Sequence, residues 1–337
     1  MTRLRRSLAI SFAALAAISV LSACNSEDSS QTALVIYSGR SEEFIAPFFA
    51  EFTSSTGIKL DVRYGDSAAL AAQILEEGEN SPADLFISQD AGALGAVSAA
   101  ALLTKLDSKI IERVAPNYRS SAKDWVGLTG RARVFAYSPE RVSELPKSVD
   151  DLTLPKWRGR LAIAPTNSSF QAFVTAMVQL RGEAATESWL RAMVANSPKY
   201  YEKNSLIVAA IDAGEVDAGL TNHYYIWEVA QELGRPIKVA NSFFAPGDVG
   251  NLINVSGAAI LRTSSNQNQS SELINYLLSL DTQRRFVADT SEYSLVDTSL
   301  RPENMVSLSE IAAPNVDLAK LADLERTQRI LIRVGML

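Results

Sequence analysis

From residue 33 onward the chain repeats one pattern, a short apolar run followed by a run of helical period, and few folds accommodate it. "ALVIYS" (Ala33 to Ser38) shows no polar alternation and suits a strand covered on both faces. In "SEEFIAPFFAEFTSSTG", Phe44, Ile45, Phe48, Phe49 and Phe52 recur at helical spacing, with Ser41 able to cap the start and Gly57 the end. "IKLDVRY" sets Ile58, Leu60, Val62 and Tyr64 against Lys59, Asp61 and Arg63, the pattern of a half-buried strand. Asp66 or Ser67 opens the next helix, "ADLFIS" is another strand, and Gly92 to Leu102 another helix. After Trp125 the pattern restarts. "RARVFAYS", "RLAIAP", "DAGLTN" and "NVSGAAILR" read as strands, interspersed with helical stretches, the one after "DAGLTN" running from His223 to Leu233. Such alternation predicts an α/β fold with a largely parallel sheet. About 300 residues exceed what one core usually holds, so two lobes are expected.

The first residues, "MTRLRRSLAISFAALAAISVLSAC", place Arg3, Arg5 and Arg6 before an apolar run too short for a comfortable transmembrane helix. The run ends at Leu21-Ser22-Ala23-Cys24, which resembles a bacterial lipobox. That resemblance implies cleavage after residue 23 and lipidation of Cys24, the only cysteine; an ordinary secretory signal is the alternative. Residues 24–32 then form a polar tether. The protein is expected outside the cytoplasm, held to the membrane through the lipid anchor only. With 32 basic and 38 acidic residues the formal charge is −6, and removing the leader arginines makes it more negative. Nucleic acid is therefore not an expected partner.

"GLTNHYYIWEVA" sets Tyr224 and Tyr225 side by side after the only histidine, His223. Read alone, such a pair suits aromatic packing or stacking on an organic ligand as well as metal binding. No nucleophile elbow, Walker loop or His/Cys cluster accompanies it, so the chain does not read as an enzyme.

The order of segments resembles the solute-binding proteins of bacterial ABC importers, and within them the ferric-iron-binding proteins. The likeness rests on "RYGDSAALAAQILEEGENSPADLFIS", "WVGLTGRARVFAYS", "LTLPKWRGRLAIAPTNSSFQAFVTAM", "YYEKNSLIVAAIDAGEVDAGLTNHYYIWEVA" and "INVSGAAIL". "PKWRGR" occurs in several such families; "NHYY" together with "GRARV" and "RYGDSAALA" is more specific. The resemblance implies a periplasmic-binding-protein-like fold, two α/β lobes joined by hinge strands around a ligand cleft. Lobe 1 would be 33–130 plus 260–300, and lobe 2 would be 131–259 plus 301–337. The crossovers would lie near Arg131 to Val134 and near Val255 to Leu261.

The resemblance also implies Fe³⁺ bound by the phenolates of Tyr224 and Tyr225, with carbonate or phosphate as a synergistic anion. The chemistry is sound, since a hard trivalent cation prefers anionic oxygen and stabilises phenolate over phenol. At the family's lobe 1 ligand positions this chain has Ser41 and Gln89 instead of histidine and glutamate. Glu42 is a candidate carboxylate ligand, or a solvated first-turn residue. Arg131, Asn167, Ser168 and Ser169 are the implied anion holders, at an arginine and a helix start. Arg40, Gln89, Asn204 and Asn222 are expected around the cleft, although the asparagines also suit capping or loop roles. His223 is expected to serve structure or the cleft rim. The implied partners are a membrane permease and its ATPase, served by a monomeric receptor. The competing reading is a metal-free receptor for a polyamine, sugar, thiamine-like molecule or organic anion.

Overall fold

The computed structural model describes residues 33–337; the expectations for Cys24, the leader and the tether lie outside the described residues. The strands described are β1 (Leu34–Ser38), β2 (Leu60–Tyr64), β3 (Leu85–Ser88), β4 (Val126–Tyr137), β5 (Leu161–Ile163), β6 (Lys199–Tyr200), β7 (Ala218–Asn222), β8 (Ala240–Ser242), β9 (Ile253–Ile260) and β10 (Tyr293–Ser294). The α-helices are α1 (Glu42–Thr56), α2 (Ser67–Glu77), α3 (Ala91–Ala99), α4 (Ser108–Ile111), α5 (Ser168–Arg181), α6 (Glu183–Ala195), α7 (Asn204–Ala213), α8 (Tyr225–Leu233), α9 (Gln267–Leu277), α10 (Leu280–Thr290) and α11 (Leu324–Arg333). None of these is long and apolar enough to cross a membrane.

The strands run in the order β2-β1-β3-β9-β4-β7-β5-β6, with β8 and β10 also on β4. β4 belongs to both halves of the molecule. Its residues 126–132 pair with β9, and its residues 133–137 pair with β7. The change of neighbour falls between Ala132 and Arg133, opposite Ile253 and Leu252 of the returning chain. The expectation of a largely parallel sheet needs correction. β1 with β2 and β3, and β5 with β6 and β7, are parallel. Every pairing of β4 and β9 is antiparallel, because one strand carries the chain into the second half and the other brings it back.

Helix starts and stops follow local chemistry. Asp66 caps α2 by accepting the Ala68 and Ala69 N–H groups, and Asp90 caps α3 at Ala93. Gly57 closes α1 in the left-handed region, at φ 76°. Ser41 stands at the start of α1, yet its side chain makes no capping bond. α8 starts two residues later than the sequence pattern suggested. The His223 N–H is taken by the Ala132 carbonyl at 3.0 Å, which prolongs the sheet ladder past Asn222 and delays the helix.

The two halves are packed around aromatic anchors. Phe48 stacks on Phe286 in the first, with ring centroids 4.3 Å apart, and Phe135 meets the edge of Trp157 in the second, at 5.3 Å. The tail after β10 touches both. Gly247 N–H bonds to Ala312 in the second half, and the 3₁₀ turn Leu318–Ala322 then lies on α3. There a Cβ on Gly95 would collide with the Ala319 backbone, so glycine is what permits this approach. α11 finally packs on α5, where the Thr175 and Thr327 hydroxyls meet at 2.7 Å.

Candidate metal and anion cleft

Tyr224 occupies the cap position of α8, at φ −73° and ψ −16°, and Tyr225 is the first helical residue. The Tyr224 backbone is thus already helical, and the two rings nonetheless come together. Their centroids are 4.4 Å apart with a 32° tilt, and both residues are half-buried. Burial pushes the Tyr225 phenol well above its usual range; the charge and hydrogen bond of Tyr224 add to this, and Asn204 pulls the other way. The apoprotein therefore holds this hydroxyl protonated.

Beside the pair lies Arg133, only 2 % exposed. Its Nη1 donates to Ser169 Oγ at 3.0 Å and its Nη2 to the Leu220 carbonyl at 3.1 Å. Burial lowers its pKa to about 10, with Tyr225 and Tyr224 opposing the fall, so the guanidinium stays charged at neutral pH. Asn204 Nδ2 donates to the same Ser169 Oγ at 2.9 Å, and Asn167 Oδ1 accepts the Ser169 N–H at 3.0 Å. The first turn of α5, the start of α7 and Arg133 of β4 thus meet around one hydroxyl.

Ser169 and Arg133 also line a cavity of about 280 Å³ lying between the two halves. Arg131, Ser168, Gln89 and Asn222 line it too, so the structure brings together these candidates for the anion and the cleft. Arg131 is buried and donates through Nη2 to the Gln89 carbonyl, while Gln89 N–H is held by Ser67 Oγ at 2.9 Å. The first turns of α2, α3 and α5 all face this space, which favours negative charge there.

Two candidates lie elsewhere. Glu42 is exposed on the first turn of α1 and does not line the cavity. Arg40 is buried, and its Nη1 bonds both carboxylate oxygens of Glu292 at 2.9 and 3.0 Å. Burial pushes Glu292 up, but Arg40 and then Arg131 outweigh it and hold the carboxyl below its usual range. The Thr129 hydroxyl donates to Glu292 as well and meets Ser256 Oγ at 2.5 Å. His223 is fully buried. Its Nδ1 accepts from the Ala132 N–H at 3.2 Å and its Nε2 bonds the Ser291 carbonyl at 2.7 Å, which leaves neither nitrogen for a metal. Among the described residues no group of three or more His, Cys, Asp or Glu side chains is placed to hold an ion.

Sequence reasoning passed over Arg133 and Glu292. The first was within reach, since Arg131 and Arg133 alternate on a strand and leave it on one face. Nothing local marks the second, which meets its partner across 252 positions.

Comparison with known proteins agrees with this architecture. The sequence profile of a family described as bacterial extracellular solute-binding protein matches residues 80–313. The chain is 36% identical over 308 residues to the major ferric iron-binding protein of Neisseria meningitidis, covering 90% of this chain and 93% of that one. It is 33% identical over 313 residues to an Fe(3+)-binding periplasmic protein of Serratia marcescens, covering 92% of each. Iron-bound HitA from Pseudomonas aeruginosa superposes with a TM-score of 0.81 at 31% identity, over 90% of this chain and 99% of HitA. The Trichodesmium protein IdiA (FutA), solved with iron and citrate, gives 0.79 at 26% identity over 90% and 100%. A two-lobed α/β fold, a profile match over most of the chain and relatives of this kind along nearly its whole length lead to one assignment: the chain belongs to the bacterial extracellular solute-binding proteins, in the group of the periplasmic ferric iron-binding proteins.

Proposed function

We propose that this chain is an extracytoplasmic receptor of an ABC importer, that it captures Fe³⁺ on the Tyr224 and Tyr225 phenolates with an anion alongside, and that it hands the ion to a membrane permease and its ATPase. The observation that carries this reading is the tyrosine pair, with rings 4.4 Å apart, beside a buried arginine, Arg133, that also lines the interlobe cavity. Two phenolates neutralise two of the three charges on the ion. A carbonate or phosphate near Arg131, Ser168 and Ser169, whose partner Asn167 fixes the helix start, would neutralise the rest. The lobes, taken as 33–130 plus 260–300 and 131–259 plus 301–337, would close on the cargo because each supplies contacts that exist only together. A monomer tethered through lipidated Cys24 completes the proposal.

The test is spectroscopic. Apoprotein given Fe³⁺ with bicarbonate is expected to develop a visible phenolate-to-iron charge-transfer band, and Tyr224→Phe and Tyr225→Phe are each expected to weaken or abolish it. A protein that stays colourless and retains no iron, with Tyr224→Phe behaving as the parent, would refute this reading in favour of a metal-free organic solute. Turnover sensitive to His223→Ala would instead indicate an enzyme.

A further inference from the structure

Near its end the chain makes an excursion that neither half requires. The turn Leu318–Ala322 leaves the second half, rests on α3 of the first, and gives way at once to α11 in the second. Its two flanks are fastened. Before it, Gln179 Nε2 of α5 donates to the Asp317 carbonyl at 3.3 Å. After it, Gln328 Nε2 donates to Gln171 Oε1 at 3.2 Å, and Arg326 and Arg333 of α11 pair with Glu183 of α6 at 2.8 and 2.6 Å.

The seat on α3 is shaped for backbone. Gly92 and Gly95 stand three residues apart on the helix and so share a face. A Cβ on Gly92 would lie 3.0 Å from the Ala322 nitrogen, and one on Gly95 would collide with the Ala319 carbonyl. Leu318 and Leu321 of the turn are buried, at 5 % and 2 % exposure. Among the described residues no hydrogen bond or ion pair joins the turn to α3; its own bonds are local, Lys320 N–H to the Asp317 carbonyl and Ala319 N–H to Asp317 Oδ1. A contact held by apolar burial alone can part without leaving a polar group unpaired.

Leu321, Ala322 and Leu324 also line the interlobe cavity, with α2 and α3 on one side and the first turn of α5 on the other. Opening the cleft about the Ala132–Arg133 joint would carry α3 away from α5. The turn could not follow α3 far, because α5 and α6 hold both of its flanks. It would lift off the two glycines instead.

We propose that Leu318–Ala322 is a latch: fastened to the second half on both sides, it grips Gly92 and Gly95 of α3 when the cleft is shut and lifts from them when the cleft opens. A contact made only in the shut form favours that form, empty or loaded, and slows the loss of any cargo held there. The proposal rests on the closing of two lobes argued above, and not on the nature of the cargo or on its ligands.

The experiment loosens the grip from either side, with Gly95→Ala on α3 and Leu318→Ala on the turn, neither of which lines the cavity. Small-angle scattering of the apoproteins is expected to give both variants a larger radius of gyration than the parent. After loading with Fe³⁺ and bicarbonate, iron release to a chelator is expected to be at least about fivefold faster in each variant, the factor that one kcal/mol of lost grip brings. In the parent, which needs no substitution to fold, hydrogen exchange of a peptide covering 318–323 is expected to slow on loading while that of α11 does not change. Exchange over 318–323 that is the same empty and loaded, or folded variants with the parent's radius and release rate, would overturn the latch. A parent that takes up no iron would refute the function proposed above, and the scattering of the apoproteins would still decide for or against the latch.

Discussion

The imidazole of His223 donates from Nε2 to the carbonyl of Ser291 across 2.7 Å, and so ties the chain entering α8 to the turn before β10. Its Nδ1 accepts from the Ala132 backbone, so the ring is neutral and in a single tautomer. The tyrosine pair is thereby anchored to the strand shared by both halves, one residue from where that strand changes neighbours.

That arrangement sets an acid limit on apoprotein stability. Burial lowers the His223 pKa from 6.5 to about 4. Between these values the unfolded chain binds a proton that the folded chain refuses, so stability present above about pH 6.5 is lost as pH falls towards 4. The loss amounts to about 3 kcal/mol, at 1.36 kcal/mol per pKa unit. Denaturant unfolding of the apoprotein at pH 7, 5.5 and 4 is expected to show it, and His223→Gln is expected to lose this part of the slope. Equal slopes in parent and variant would contradict the assignment.

Arg40 and Glu292 form a buried ion pair at 2.9 Å, both about 3 % exposed. Glu292→Gln or Arg40→Met leaves one charge unpaired and is expected to cost about 3–5 kcal/mol. Replacing both with apolar residues is expected to restore much of that loss. Equilibrium unfolding of the two single variants and the double variant forms the cycle that checks it, and additive losses would rule out the coupling.

Iron capture by two phenolates is expected to release two protons, because burial keeps Tyr225 protonated in the apoprotein. Apparent affinity would then fall about a hundredfold per pH unit of acidification. Competition against a chelator, corrected for the chelator's own protonation, reads that slope. Retention that is flat from neutral pH to pH 4 would exclude the mechanism.

Gly95 is where the backbone of the Leu318–Ala322 turn reaches α3. Gly95→Ala is expected to destabilise the fold by about 1–3 kcal/mol, since the obstacle is backbone and cannot rotate away. Gly57→Ala, where no neighbour stands within 4 Å but φ is 76°, provides a control that carries backbone strain alone. A drop in midpoint no larger for Gly95→Ala than for the control would show that the turn yields easily.

The α/β alternation was legible because strands such as "ALVIYS" and helices such as "SEEFIAPFFAEFTSSTG" carry their period within a dozen residues. The helix starts at Asp66 and Asn167 were nearly as plain, since capping is local chemistry, whereas α8, which has no side-chain cap, was placed two residues early. Sheet direction was not legible, because antiparallel pairing of β4 with β9 depends on partners more than 100 residues apart. The commitment of Arg40 to Glu292 was hidden for the same reason, and an arginine that looked free for the cleft is spent on a carboxylate no local pattern announces.

One strand feeding two sheets has an electrostatic corollary. Arg131 is fastened to Gln89 in the first half and Arg133 to Leu220 and Ser169 in the second, although the two stand a single residue apart. Bending between Ala132 and Arg133 would therefore act as a throttle on the mutual repulsion of two like charges. On the proposed function, an empty protein would lower that repulsion by gaping and a bound anion would cancel it, so cargo and closure would favour one another without any separate signal.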